Sequence, residues 1–318
     1  MSLAEQVRPL LLAAGLGTRL RPLTLHQPKP LVRVCGRPVI DPLLDLLAAA
    51  GCTDVGLNTH WQAAALQAHV GDGRAWGLRL DCRHEPTLLG GAGTLRAFAD
   101  FLGDQTALVL NADSVLIPDF EVLLAEHRAA GAVLSLLCTE FVGPLKRGAA
   151  WDEAGWLRGI RNWGLDDPRA THRGLFAGLH LVEPVVWQEF VAAEGPTNLV
   201  TDVIPALAAA GLPVRVLRYD GPFADIGDLA GLYQAQALVL ARRLTAFLQP
   251  AEEVAPGVWV EPGARLAGTV EPPVYLAGGA DVEAGARVGP YAVLWPGARL
   301  AAGEQLAWGQ DLGVAVDG

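Results

Sequence analysis

From Arg8 to about Ala246, short apolar runs alternate with longer stretches whose apolar residues recur at helical spacing. That is the pattern of a sheet flanked by helices. It predicts strands over residues 9–12, 54–59, 78–82, 106–111, 133–139, 175–181 and 214–219. Helices are predicted over 39–50, closed by Gly51, and over 61–70, 93–102, 120–130 and 199–210. Strands separated by helices imply an α/β fold with a Rossmann-like, mixed but mostly parallel sheet. Ligands on such sheets bind beyond the carboxyl ends of the strands, where the run at residues 12–19 and Asn111-Ala112-Asp113 both fall.

After about Pro250 the pattern changes. Aliphatic residues recur every six positions, at Val254, Val260 and Leu266 and again from Leu276 through Val282, Val288, Leu294, Leu300 and Leu306 to Leu312. Pro, Gly or Ala follow most of them, as in Val260-Glu261-Pro262-Gly263-Ala264-Arg265. A period of this kind marks a short parallel β-helix, expected to be left-handed, in which each flat strand turns one aliphatic side chain inward. The phase slips once, between Leu266 and Leu276, and a loop at Glu271-Pro272-Pro273 is the expected cause. The chain is therefore divided into a domain over 1–247 and a repeat domain over 252–318.

Composition narrows the classes. With 51% hydrophobic and 18% charged residues in 318, the chain has enough apolar material for a sizeable core. A net charge of −10 opposes binding to nucleic acid or an anionic membrane face, so a phosphorylated substrate requires locally placed cations or a metal. Cys35, Cys52, Cys82 and Cys138 are scattered singly, without zinc spacing, and are read as buried free thiols. Residues 1–9 lack the long apolar core of a secretion signal, and no run reaches the roughly 18 apolar residues of a spanning helix. The expectation is a cytoplasmic protein.

The candidate chemistry begins at Leu12-Ala13-Ala14-Gly15-Leu16-Gly17-Thr18-Arg19. Glycines at 15 and 17 after a buried strand let the backbone turn tightly and converge several N–H groups on one point, which suits phosphate oxygens. Position 20 is Leu, which departs from the dinucleotide fingerprint, and no Gly-Lys-Ser/Thr follows as a Walker loop needs. Instead come Arg21-Pro22-Leu23-Thr24 and Pro28-Lys29-Pro30-Leu31, where flanking prolines restrict the backbone that presents the Lys29 ammonium.

At these residues the sequence resembles the sugar-phosphate nucleotidyltransferase family, with its GxGTRLxPLT and PKP pattern, and most nearly its mannose-1-phosphate guanylyltransferase-like members with a short hexapeptide tail. The resemblance continues through Leu89-Gly90-Gly91-Ala92-Gly93-Thr94-Leu95, similar to the base-reading segment, and Val109-Leu110-Asn111-Ala112-Asp113, similar to the metal-binding strand end. Phe176-Ala177-Gly178-Leu179 resembles the sugar-contact segment and Phe223-Ala224-Asp225-Ile226-Gly227 the second metal motif. The resemblance implies an enzyme joining a nucleoside triphosphate to a sugar 1-phosphate. It assigns Arg19, Lys29 and Asp113 to catalysis, Leu12, Ala13, Ala14, Gly15, Gly17, Thr18, Gly91, Gly93 and Asn111 to the nucleotide, and Gly178 and Arg161 to the sugar phosphate. Asp113 and Asp225 would hold Mg²⁺.

One position departs. The family places Glu-Lys-Pro on a strand before the sugar-contact segment, whereas this chain reads Arg161-Asn162-Trp163. Either Arg161 or Arg173 supplies the missing charge, or the sugar phosphate is held more weakly. A non-catalytic nucleotide-sugar-binding paralogue is the contrasting reading, as is a bifunctional enzyme whose tail transfers an acyl group. No His follows His180 to serve as the base of such a transfer. Gly91-Ala92-Gly93 with Thr94 leans toward GTP and mannose 1-phosphate, with UTP or dTTP and a glucose-type sugar as the alternative. The tail is expected to support at least a homodimer. Trp151, Trp156 and Trp163 are expected to pack a lid.

Overall fold

The computed structural model describes residues 3–140, 148–248 and 251–307. Two compact units emerge, residues 1–16 with 43–223 and residues 17–42 with 224–318. The first unit is built on a mixed sheet of β1 (Val7–Leu12), β2 (Asp54–Thr59), β3 (Arg79–His84), β4 (Thr106–Asn111), β5 (Leu134–Glu140), β6 (Ala149–Trp151), β7 (Leu157–Ile160), β8 (His172–Val182) and β9 (Val214–Arg218). Its order is β7-β6-β8-β4-β1-β2-β3, with β5 beside β8 and β9 beside β5. One side of the sheet, β4-β1-β2-β3, is wholly parallel, and β9 runs parallel to β5. The long β8 runs antiparallel to β4, β5 and β6.

Strand β4 is buried on both faces, and its central residues Ala107–Leu110 are apolar throughout. Leu10, Val109, Leu136 and Val216 from the sheet meet Leu95, Phe98, Val186, Ile204 and Leu207 from the helices in one core. Capping sets the helix ends. Helix Phe120–Ala130 starts where the Asp119 side chain accepts from the amides of Glu121 and Val122, and it stops at left-handed Gly131.

Several expectations need correction. The helix over 199–210 divides into a π-type turn, Leu199–Val203, and a helix, Ile204–Ala209. Pro205 has no N–H to continue the ladder, so it falls in a fresh first turn. Strands β6 and β7 went unforeseen because three or four residues are too few to show a period. Trp151, on β6, is a core side chain rather than lid packing, and Trp163 packs against that same core.

In the second unit, short strands Arg33–Val34 and Arg37–Pro38 form a hairpin, and helix Leu229–Leu240 starts at an Asp228 cap. The hexapeptide segment forms three parallel ladders. Val258–Val260 pairs with Val274–Leu276, which pairs with Ala292–Leu294. Arg265–Leu266 stacks on Asp281–Val282 and then Arg299–Leu300, and Thr269–Val270 on Arg287–Val288 and then Gln305–Leu306. Aliphatic residues of the ladders share one core.

The phase slip has a specific origin. Val270 occupies the missing inward position, paired with Val288. It follows Leu266 after four residues instead of six, so the first coil has one shortened corner at Ala267-Gly268. A Cβ at Gly268 would lie 2.6 Å from the Ala286 carbonyl oxygen, which explains the residue at that corner. Val254 is not an inward position, for its strand Glu252–Ala255 pairs antiparallel with Val258–Val260 and its side chain is 56% exposed. Leu312 lies outside the described residues. Among the described residues, no helix is long and apolar enough to cross a membrane.

Candidate active site

In the first unit the candidate residues lie around the carboxyl end of β1. Leu12 stands level with Asn58 on β2 and Asn111 on β4. The Ala112 amide donates to the Leu12 carbonyl (3.0 Å), and a Cβ at Gly91 would touch the Leu12 side chain at 3.7 Å. Gly178 sits at φ +79°, where β8 is irregular, and a Cβ there would lie 2.0 Å from Ser114 Oγ and 3.2 Å from Asn111 Cβ. Four candidates widely spaced in sequence, Leu12, Gly91, Asn111 and Gly178, thus converge. Asp113 is half-buried in the turn between β4 and Ser114–Val115.

Gly15 has open space where its Cβ would be and no positive φ. Packing does not demand glycine there, and a backbone without a side chain at this position admits close approach by another group. Around Gly93 the backbone is already engaged, because the amides of Ala92 and Gly93 both donate to the Thr197 carbonyl (3.1 Å each).

Hydrogen bonds beneath these loops reveal residues that sequence reasoning missed. The Ala13 amide donates to Asn58 Oδ1 (2.6 Å), and Asn58 Nδ2 donates to Glu85 Oε1 (2.9 Å). Thr94 Oγ1 donates to the same Glu85 oxygen (2.6 Å), and the Leu89 amide donates to Glu85 Oε2 (3.1 Å). The only sequence signals were a polar Asn58 near the end of an apolar strand and an acidic Glu85 after β3.

The candidates of the second unit gather in one cluster. Gly17 is left-handed at φ +63° and its carbonyl accepts from Thr24 Oγ1 (2.7 Å), which opens the 3-10 turn Thr18–Leu20 that carries Arg19. Lys29 starts the turn Lys29–Leu31 and is only 8% exposed. Its Nζ lies 3.5 Å from Asp225 Oδ1. Arg19 Nη1 lies 3.4 Å from Asp228 Oδ2, another residue the sequence did not single out, whose other oxygen caps helix Leu229–Leu240. Arg19 and Asp228 are both well exposed, so their mutual attraction adds little stability, and the guanidinium is open to an anion.

Arg161 differs from expectation. It is not on a strand, since β7 ends at Ile160 and Arg161 occupies a left-handed turn at φ +53° with its amide on the Gly148 carbonyl (2.8 Å). Its side chain is exposed and makes no hydrogen bond or ion pair among the described residues. Arg173 Nη2 donates to the Leu165 carbonyl (3.1 Å).

A divalent cation fits the donor types. Asp113 and Asp225 offer carboxylate oxygens, which hard cations prefer, and no cluster of three His, Cys, Asp or Glu able to hold a metal occurs among the described residues.

Residues 8–144 match the model of a family described as nucleotidyl transferase. The chain is 31% identical over 310 residues to mannose-1-phosphate guanylyltransferase of Mycobacterium tuberculosis, covering 94% of this chain and 82% of that protein. It is 30% identical to glucose-1-phosphate thymidylyltransferase of Streptomyces griseus (91% and 82% covered) and 27% identical to UTP--glucose-1-phosphate uridylyltransferase of Synechocystis (89% and 76%). Its fold is similar to the crystal structure of HddC from Yersinia pseudotuberculosis complexed with GMP-PN, with TM-score 0.61, 20% identity, and 72% of this chain and 97% of that chain covered. The chain belongs to the sugar-phosphate nucleotidyltransferase family and is an enzyme of nucleotidyl transfer, a family that generally uses a divalent metal.

Proposed function

We propose that the enzyme transfers GMP from GTP to mannose 1-phosphate with Mg²⁺, giving a nucleoside diphosphate sugar and pyrophosphate. The observation that carries this choice is the segment Gly91-Ala92-Gly93-Thr94 beside Leu12, where uracil- and thymine-reading relatives often place Gln. An oxygen of the sugar phosphate attacks the α-phosphorus, a new P–O bond forms and the bond to the pyrophosphate oxygen breaks. The protein has mainly to align two polyanions and offset their repulsion.

In this reading the backbone of residues 12–18 receives the triphosphate, with Asn111, Gly91 and Gly93 on the nucleotide. Arg19 grips phosphate oxygens through its guanidinium fork. Lys29, desolvated and backed by Asp225, supplies a fixed positive charge to the reacting phosphates. Gly178 and Arg161 serve the sugar phosphate. Asp113 and Asp225 would hold Mg²⁺, which when bound neutralises phosphate charge. The three parallel ladders between Val258 and Leu306 support a parallel β-helix; its left-handed sense, its extent over 252–318 and residues 1–247 as the catalytic domain belong to the same reading.

Pyrophosphate release, measured with GTP, UTP, dTTP, CTP and ATP against mannose and glucose 1-phosphates, tests the reading. GTP with mannose 1-phosphate should give the highest kcat/KM; a preference for UTP or dTTP with glucose 1-phosphate overturns it.

A further inference from the structure

Asn58, Glu85 and Thr94 are 3%, 4% and 1% exposed, yet none belongs to the apolar core, Asn58 and Glu85 carry no role in the reaction described above, and Thr94 enters it only as the end of the segment 91–94. Burying a carboxylate is costly unless donors surround it. Glu85 has three donors, from Asn58 Nδ2, Thr94 Oγ1 and the Leu89 amide, all neutral. An apolar trio of equal volume would fill the space at lower cost, so packing alone does not account for the choice.

The chemistry of the donors explains each residue type. A backbone amide only donates and a carboxylate only accepts, so joining the Ala13 amide to Glu85 needs a side chain with one acceptor and one donor. Asn58 is that side chain. Its orientation is fixed, because Oδ1 must face Ala13 and Nδ2 must face Glu85. The Thr94 hydroxyl accepts from Asn58 Nδ2 (3.1 Å) and passes its proton toward Glu85. Glu85 then spends its second oxygen on Leu89, the residue immediately before the glycine segment at 90–93.

We infer that Asn58, Glu85 and Thr94 form a buried relay that fixes the spacing between the loop opening at Ala13 and the Gly91–Gly93 turn, and so sets the enzyme's affinity for the nucleoside triphosphate. They are positioning residues, touching no substrate. The inference rests on the assignment of residues 12–18 and 91–93 to the nucleotide.

Steady-state kinetics of the full chain, with GTP, UTP and dTTP as probes and mannose or glucose 1-phosphate as acceptor, test it. Glu85→Gln keeps the shape but turns an amide toward the donors, and Thr94→Val removes the hydroxyl. Each should raise the triphosphate KM at least ten-fold and leave the sugar-phosphate KM within two-fold. Thr94→Ser, which restores the hydroxyl, should return the triphosphate KM to within about three-fold of wild type, a rescue that loss of packing alone does not produce. If Glu85→Gln fails to fold, the Thr94 pair decides. Triphosphate KM values unchanged in folded variants, or both KM values rising together, overturn the relay alone. A wild type that releases no pyrophosphate from any of the triphosphates overturns the functional reading, and the relay with it.

Discussion

His180 lies on β8 between Val109 and Leu136, is 3% exposed, and packs against the Phe176 ring at 5.7 Å. Neither ring nitrogen has a hydrogen-bond partner among the described residues. Burial pushes its pKa down from 6.5 to about 3, so the ring is neutral in the folded protein across the physiological range. The unfolded chain takes up a proton once pH falls below 6.5, while the folded chain does not until about pH 3. Stability is therefore complete above pH 6.5 and is lost as pH falls, at about 1.4 kcal/mol per unit. Between pH 7.5 and pH 5 this one side chain should remove about 2 kcal/mol. His180→Leu has nothing to protonate and leaves no unpaired polar atom, so its urea midpoint at pH 7.5 should match or exceed wild type. The stability difference in its favour should grow by about 2 kcal/mol at pH 5. Wild type and variant losing stability in parallel between those pH values would refute the reasoning.

Lys29→Ala should lower kcat about 100-fold or more, the scale of losing one preorganised electrostatic contact to the transition state, with a small change in Tm; near-normal turnover would remove Lys29 from catalysis. Gly36→Ala places a Cβ 1.9 Å from Glu261 Oε1 and 2.0 Å from the Tyr275 hydroxyl, so it should cost about 1–3 kcal/mol in denaturant melts, as overpacking does. Gly178→Ala adds a left-handed strain to its clash with Ser114 and should lower both Tm and kcat/KM for the sugar phosphate. By contrast Arg265→Ala, which breaks the exposed ion pair to Asp281 on the repeat segment, should change stability by less than about 1 kcal/mol.

Local patterns made much of this protein legible. The apolar runs that became β1, β2 and β4 needed no tertiary information, because strands buried on both faces are hydrophobic throughout. The six-residue period announced the stacked ladders, and Pro28 and Pro30 marked Lys29 as fixed before its Asp225 partner was visible. Fold class, the order of the candidate loops and the chemistry of the glycine turn all rest on residues close together in sequence, where steric and hydrogen-bonding preferences are local.

Other features depended on contacts between distant residues. Val270 could be recognised as an inward position only from its pairing with Val288, since a shortened corner breaks the period by which such positions are found. Arg161 reads as a strand residue until the backbone turns at the end of β7. Arg19 and Asp228 are 209 residues apart, and Asn58 and Glu85 are 27 apart; nothing local marks either pair. The sequence by itself determined the longer strands and helices, the repeat, and the glycine- and proline-flanked loops proposed for phosphate binding. Only the tertiary structure decided which buried polar groups satisfy one another, because the need of a buried donor for an acceptor is met by whatever the fold brings within about 3 Å.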